Sequence, residues 1–152
     1  MATYILNKKD ATKIKLDPSD YNVMIRITNP KTDFLQLENE NIFTDILSLK
    51  FFDLEDDKSG LYLFNETHLE RIMQFFNKHR NCKNMVIHCD EGKSRSAGVA
   101  VGWFLFNDIK SSIYKIYHNN IHFPNRRIVE FFYKHFNENL NNIDKWENEL
   151  YS

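Results

Sequence analysis

The spacing of apolar residues points to an α/β layered domain, a central mostly parallel or mixed twisted sheet flanked by helices. Short β-compatible runs occupy the first half, at 22–28 and 46–52. A wholly apolar run, Met85 to Ile87, turns abruptly polar at His88-Cys89 and is followed by a segment apolar on most sides, Ala97 to Phe106. From 111 onward the apolar residues recur at helical spacing. Strands first and alternation with helices afterwards give a layered α/β domain.

Taken in order, residues 3–7 read as a short first strand. Lys13 to Tyr21 is turn-like, with Pro18 inside it. Asn22 to Thr28 places Val23, Met24, Ile25 and Ile27 around Arg26, a strand stopped by Asn29-Pro30. Lys31 to Asn41 is polar loop with room for a short helix. Ile46 to Phe52 is β-compatible and ends in Asp53, and Leu54 to Leu63 is an acidic loop expected to move. Asn65-Glu66-Thr67 opens a helix whose stripe is Leu69, Ile72, Met73, Phe75 and Phe76, ending near Lys78. The core strand follows, then a central helix from about Ser94 to Asn107. Helices are predicted over Ser111 to Asn119 and Arg126 to Phe136, separated by the turn Phe123-Pro124-Asn125. Leu140, Ile143, Trp146 and Leu150 mark a last helix.

At 152 residues the chain is expected to form one domain over 1–152 with a sizeable core. Lys and Arg number 20 against 21 Asp and Glu, so no basic excess favours nucleic acid as a partner. The longest apolar run, Val99 to Phe106, is too short to span a bilayer, and the N-terminal residues lack the order of a signal peptide. A soluble protein of a reducing, cytoplasmic compartment is the expectation, with no membrane partner. Cys82 and Cys89 flank an extended segment, which would hold the thiols roughly 20 Å apart, too far to pair. The His residues are scattered, so no metal or other cofactor is called for. Oligomeric state leaves no mark in the sequence.

The chemistry concentrates between Met85 and Ala97. One thiol, Cys89, and one guanidinium, Arg95, stand with Asp90, Glu91, Gly92, Lys93 and Ser94 between them. Those residues can wrap into a cup whose backbone N–H groups point inward, and a helix starting near Ser94 adds its positive end. A cup of donors with a forked Arg suits a tetrahedral dianion. The same field would favour negative charge on a cysteine sulfur at its base.

His88-Cys89-Asp90-Glu91-Gly92-Lys93-Ser94-Arg95-Ser96 resembles the phosphate loop of the protein tyrosine and dual-specificity phosphatases: His-Cys, five residues, Arg, then Ser or Thr. The likeness extends loosely over about 20–137 and is strongest over 84–137. Pro124-Asn125 fits a Pro-Asn pair of that family, and Ile27-Thr28 with Phe51-Phe52-Asp53 is similar to small phage and bacterial members, where an Ile-Thr/Ser turn precedes a strand ending in Phe-x-Asp. The resemblance implies a dual-specificity-phosphatase-like fold. It implies phosphomonoester hydrolysis through a phosphocysteine, with phosphotyrosine in a protein or peptide as substrate and phosphoserine or phosphothreonine as further ones. Two departures stand out. The connection from Asp53 to Cys89 is longer than usual, and no recognition loop of the large tyrosine-specific enzymes is visible, which implies a shallower pocket.

On this reading Cys89 is the nucleophile and Arg95 forks onto the phosphate oxygens. The N–H groups from Asp90 to Arg95 bind phosphate, while the side chains of Asp90 and Glu91 point outward as an acidic rim. Gly92 permits an unusual backbone angle. Ser96 donates to the Cys89 sulfur or caps the helix. His88 hydrogen-bonds loop backbone and Asn125 braces the loop. An Asp on a neighbouring loop should protonate the leaving oxygen. Asp53, at the end of an apolar strand, is favoured, and Asp56 and Asp57 are the alternatives. A catalytically weak phosphate-binding module remains open, as does a relative acting on RNA 5′-phosphates or inositol phosphates. Lys93 would suit a highly charged ligand, and Asp90 and Glu91 would oppose one.

Overall fold

The computed structural model describes residues 1–56 and 62–151, with the side chain of Tyr151 excepted. The elements run β1 (Ala2–Asn7), α1 (Lys8–Ala11), β2 (Asn22–Thr28), β3 (Asp45–Lys50), α2 (Glu66–Lys78), β4 (Asn84–Cys89), α3 (Arg95–Phe106), α4 (Lys110–His118), α5 (Arg126–His135) and α6 (Asn141–Tyr151), with a single 3-10 turn at Glu40–Ile42. The strands make one sheet in the order β1-β4-β2-β3, and every neighbouring pair is parallel. The expectation of a mostly parallel sheet flanked by helices therefore holds.

A parallel sheet brings all its carboxyl ends to one edge, which is where ligands bind in open α/β folds. Here that edge gathers Asn7, Cys89, Thr28 and Lys50. Register fixes the neighbours: Asn7 pairs with Cys89, and Arg26 with His88.

Alternation along β2 sends Val23, Ile25 and Ile27 to one face and Met24 to the other. The first face packs under α2 to α6 in the main core, together with Met85, Ile87, Phe76, Trp103 and Phe132. The second face is covered by α1 and the segment after it, where Ala11, Leu37, Ile14 and Leu16 meet Met24 and Val86. With both faces covered, β4 is buried at every residue, which is why it reads as a continuous apolar run until the chemistry begins.

Helix α3 is buried from Arg95 through Leu105, consistent with its apolar surround. It lies close against α5 because Gly98 and Gly102 present no side chain there. A Cβ on Gly102 would stand 2.6 Å from the Phe132 ring, and one on Gly98 would stand 3.0 Å from Ile128. Helix α2 begins where Asn65 implied, with a reciprocal cap. The Asn65 side chain accepts from the Thr67 and His68 N–H groups, and His68 Nδ1 accepts from the Asn65 N–H. No helix is long and apolar enough to cross a membrane among the described residues.

Predicted and observed bounds differ mainly at two places. Helix α1 was not anticipated. It forms because Asn7 accepts from the Asp10 N–H at 2.8 Å and caps a turn too short to show periodicity. The 3-10 turn sits at the end of the polar segment 31–41, where a short helix was allowed for.

Gly102→Ala should lower the melting temperature while leaving the fold intact, because the new methyl must push into Phe132. Overpacking of this kind costs ~1–3 kcal/mol. A thermal melt of the variant beside the parent reads it, and an unchanged midpoint would mean the α3–α5 contact yields freely.

Candidate active site

Strand β4 carries His88 and Cys89 to the carboxyl edge, and α3 begins at Arg95, so five residues must return the chain through a tight cup. Gly92 makes the return possible. Its φ is +72°, and a Cβ there would stand 2.5 Å from the Asn7 nitrogen and 2.6 Å from the Leu6 carbonyl carbon. No other residue fits such a position without moving β1. The Lys8 N–H donates to the Asp90 carbonyl at 3.3 Å, a second tie from β1's end to the loop.

The loop curls around sulfur. The Gly92 N–H donates to Cys89 Sγ at 3.3 Å, and Ser96 Oγ lies 3.1 Å from the same atom. Cys89 is 2% exposed. The first-turn N–H groups of α3 have no acceptor within the helix and face this region with the positive end of its dipole. Ser96 is not the helix cap. Ser94 holds that position, and its hydroxyl is used elsewhere.

Arg95 is 5% exposed, so its charge needs partners. Nη1 donates to Asn29 Oδ1 and to the Phe51 carbonyl, each at 2.8 Å, and Nη2 lies 3.4 Å from Asp90 Oδ2. Nε is buried with no partner among the described residues. A cavity of about 300 Å³ opens here, lined by Asn29, Asp53, Cys89, Asp90, Glu91, Ser94 and Arg95.

Asp53 reaches this cavity from the segment after β3. Its Oδ1 accepts from Ser94 Oγ and from Asn125 Nδ2, each at 2.8 Å. Asn125 is 2% exposed and does three things at once. Its side-chain oxygen caps α5 by accepting from the Ile128 N–H, its amide holds Asp53, and its backbone N–H donates to the Ser94 carbonyl at 3.0 Å. The Phe123 N–H donates to the Lys93 carbonyl at 2.8 Å, so the Phe123-Pro124-Asn125 turn buttresses the end of the loop that leads into α3.

His88 is 1% exposed. Nε2 accepts from Arg26 Nε at 3.2 Å, which assigns the proton to Nδ1, 3.4 Å from the Cys89 carbonyl oxygen. Burial above all, with the Arg26 charge adding, pushes the imidazole down to about 4, against the contact with Cys89 and the charge of Asp90. The ring is therefore neutral at physiological pH.

Of the predicted site residues, Cys89, Arg95, Ser96, Asp53, Ser94 and Gly92 come together, with His88 and Asn125 behind them. Glu91 and Lys93 are exposed, and Glu91 lines the cavity mouth. The outward placement of Asp90 is corrected. Its Oδ1 accepts from Thr28 Oγ1 at 2.9 Å while Oδ2 faces Arg95, because a buried guanidinium and the strand-end hydroxyl draw it in. Asp56 is exposed and is not among the cavity residues, and Asp57 lies outside the described residues. Thr28 and Asn29 were missed as site residues. Ile27-Thr28 ends β2, as the strand reading of 22–28 placed it, and Asn29 follows it. Polar residues closing the strand beside β4 were the signal that could have found them.

No protein-family model matches this sequence, and no curated protein matches it. Its fold matches solved structures over nearly the whole chain. A human tyrosine phosphatase-like serine/threonine/tyrosine-interacting protein aligns with TM-score 0.63 and 16% identity, covering 88% of this chain and 89% of that one. Tk-PTP in its active form aligns with TM-score 0.54 and 12% identity over 89% of this chain and 88% of the other. A mouse putative dual specificity phosphatase complexed with zinc tungstate aligns with TM-score 0.53 and 15% identity over 76% and 70%. The chain shares the fold of these phosphatase and phosphatase-like structures, in its small dual-specificity-phosphatase-like α/β form.

Neutral buried His88 makes acid costly to the fold. Its folded-state value, about 4, lies below its ordinary 6.5, so as pH falls through this window the unfolded chain takes up a proton that the folded chain refuses. Stability should therefore drop between about pH 6.5 and 4, by up to ~3 kcal/mol at the acid end. His88→Gln should lose less stability across that window. Urea unfolding of both proteins at pH 7 and pH 4.5 checks this, and parallel losses would assign the acid sensitivity elsewhere.

Proposed function

We propose that this protein hydrolyses phosphate monoesters through a phosphocysteine intermediate, with phosphotyrosine in proteins as its main substrate and phosphoserine and phosphothreonine also accepted. One observation carries the reading. A sulfur cradled by the Gly92 N–H, a guanidinium with an unused Nε and the Asp53 carboxyl all line one cavity of about 300 Å³. Acidic groups in that lining, Asp53, Asp90 and Glu91, oppose ligands bearing several phosphates, which favours a singly phosphorylated side chain over an inositol polyphosphate or an RNA end. Two free cysteines support a reducing, cytoplasmic setting.

The chemistry needs two steps. The ester's phosphoryl group enters with its oxygens toward the loop N–H groups and Arg95. Cys89 Sγ, as thiolate, attacks phosphorus. The S–P bond forms, the P–O bond to the leaving group breaks, and Asp53 gives its proton to the departing oxygen. Arg95 meets the charge on the equatorial oxygens through Nε and Nη2, while Nη1 stays on Asn29 and the Phe51 carbonyl. Water then attacks phosphorus and gives a proton to the Asp53 carboxylate. The S–P bond breaks, and the Ser96 hydroxyl, 3.1 Å from sulfur, stabilises the thiolate that leaves.

Cys89→Ser should abolish turnover yet still bind phosphorylated ligand, since the donors around the cavity remain. Arg95→Lys should be nearly as severe, because an ammonium cannot hold Asn29, the Phe51 carbonyl and a phosphate from one plane. Steady-state rates and a binding titration on the two variants decide, and substantial turnover by Cys89→Ser would refute the phosphocysteine.

Asp53 carries a sharper expectation. General acid help is worth about 10²–10⁴-fold and matters most for a basic leaving oxygen. Asp53→Asn should slow a phosphotyrosine peptide far more than a nitrophenyl phosphate, while Asp56→Asn should slow neither. Both variants on both substrates over a pH series make the comparison. A leaving-group-dependent loss in Asp56→Asn alone would move the acid to the following loop.

A further inference from the structure

The carboxylate of Asp90 stands inside the cup, where negative charge works against the ligand. Thr28 Oγ1 donates to its Oδ1 at 2.9 Å, and its Oδ2 lies 3.4 Å from Arg95 Nη2. Its side chain is 20% exposed and lines the same cavity as Cys89. Arg95 has already committed Nη1 to Asn29 and the Phe51 carbonyl, which leaves Nε and Nη2 for a phosphate. Asp90 therefore shares one of the two nitrogens that the ligand uses. The separation of 3.4 Å is longer than the ~2.7–2.9 Å of a tight charge-assisted bond. Thr28, anchored at the end of β2, is what holds the carboxylate on its other side.

We propose that Asp90, restrained by Thr28, is a specificity-determining residue that limits how tightly the cup holds a phosphoryl group. The idea rests on the proposed function. Its consequence falls mainly on the product. A substrate adds binding through its side chain and flanking chain, whereas inorganic phosphate has only the cup. A carboxylate beside Arg95 therefore speeds phosphate release and keeps free phosphate from occupying the site. Because the repulsion acts on bound substrate and transition state alike, it raises KM without raising kcat. Thr28 sets the strength of the effect. Without its hydroxyl, Asp90 can close on Nη2 and compete harder.

The two residues should therefore act in opposite directions, which a merely structural role would not produce. The experiment titrates inorganic phosphate calorimetrically into Cys89→Ser and into the same protein carrying Asp90→Asn, Thr28→Val or both, each shown by thermal melt to be folded. Asp90→Asn should bind phosphate about three- to tenfold tighter, the size expected of one nearby screened charge. Thr28→Val should bind it more weakly, and its effect should vanish when Asp90→Asn is present. With Cys89 restored, Asp90→Asn should lower KM and the inhibition constant for phosphate by similar factors and leave kcat no higher. Equal or weaker phosphate binding by Asp90→Asn overturns the proposal, as does a Thr28→Val effect that persists without the charge. If Asp90→Asn fails to fold, Asp90→Ser takes its place with the same expectations. A Cys89→Ser parent that binds no phosphate would sink the proposed function and this role together. A parent that binds while Asp90→Asn gains nothing would sink only the role of Asp90.

Discussion

The buried guanidinium of Arg95 is the contact on which the site depends. It is 5% exposed, and taking such a charge out of water is tolerable only where fixed acceptors surround it. The acceptors come from three separate places: Asn29 beyond β2, the Phe51 carbonyl beyond β3, and Asp90 in the loop itself. One side chain thus ties the start of α3 to the ends of two strands and fixes the cavity's back wall. The Nε atom, buried and unpartnered, leaves an unmet demand for an acceptor. Among the described residues Asn39 Oδ1 and Trp103 Nε1 are also buried without a hydrogen-bond partner, but Arg95 lines the cavity beside Cys89, and an anion there is what would meet its demand.

Around that anchor the loop is supported from both sides by backbone rather than by side chains that could adjust. Gly92 rests on the Leu6 and Asn7 backbone at distances that admit no Cβ, and the Phe123-Pro124-Asn125 turn meets the Lys93 and Ser94 carbonyls from the other side. Asn125 extends this support to Asp53, so hydrogen bonds tie together the proposed acid, the loop and the start of α5. Donors held by backbone need little reorganisation as charge builds on a ligand, which is the condition for electrostatic stabilisation of a transition state.

Much of this arrangement could be read in the residues beforehand. The apolar run of β4 breaking at His88-Cys89, the return through Gly92 and the apolar α3 are local signals, and each carries its own geometry. The helices of the second half follow from their stripes, and Asn65 caps α2 where the sequence placed a helix start, whereas Asn125, read as a brace for the loop, also caps α5. What stayed hidden depends on register. Thr28 and Asn29 matter only because β2 lies beside β4 in parallel, a pairing between segments far apart in sequence. Asp90 was placed on the rim because loop N–H groups facing a ligand would turn its side chain outward, and only the Thr28 hydroxyl and the buried Arg95 explain its inward turn. Helix α1 was too short to show a period, yet it helps to cover the second face of the sheet. Asp53 was singled out because an apolar strand leads to it, and it lines the cavity, whereas its partners Ser94 and Asn125 lie far along the chain.

Cys82 and Cys89 stand before and at the end of β4, and both are free. They are the only cysteines in the chain, and an extended segment holds them roughly 20 Å apart. An oxidant that converts the Cys89 sulfur to a sulfenic acid therefore finds no second thiol of the same molecule to form a protective disulfide. The remaining reversible routes are condensation with a neighbouring backbone nitrogen or attack by a thiol from outside, such as glutathione. With Cys89 as the nucleophile of the proposed reaction, recovery from its oxidation would depend on the surrounding thiol pool rather than on Cys82.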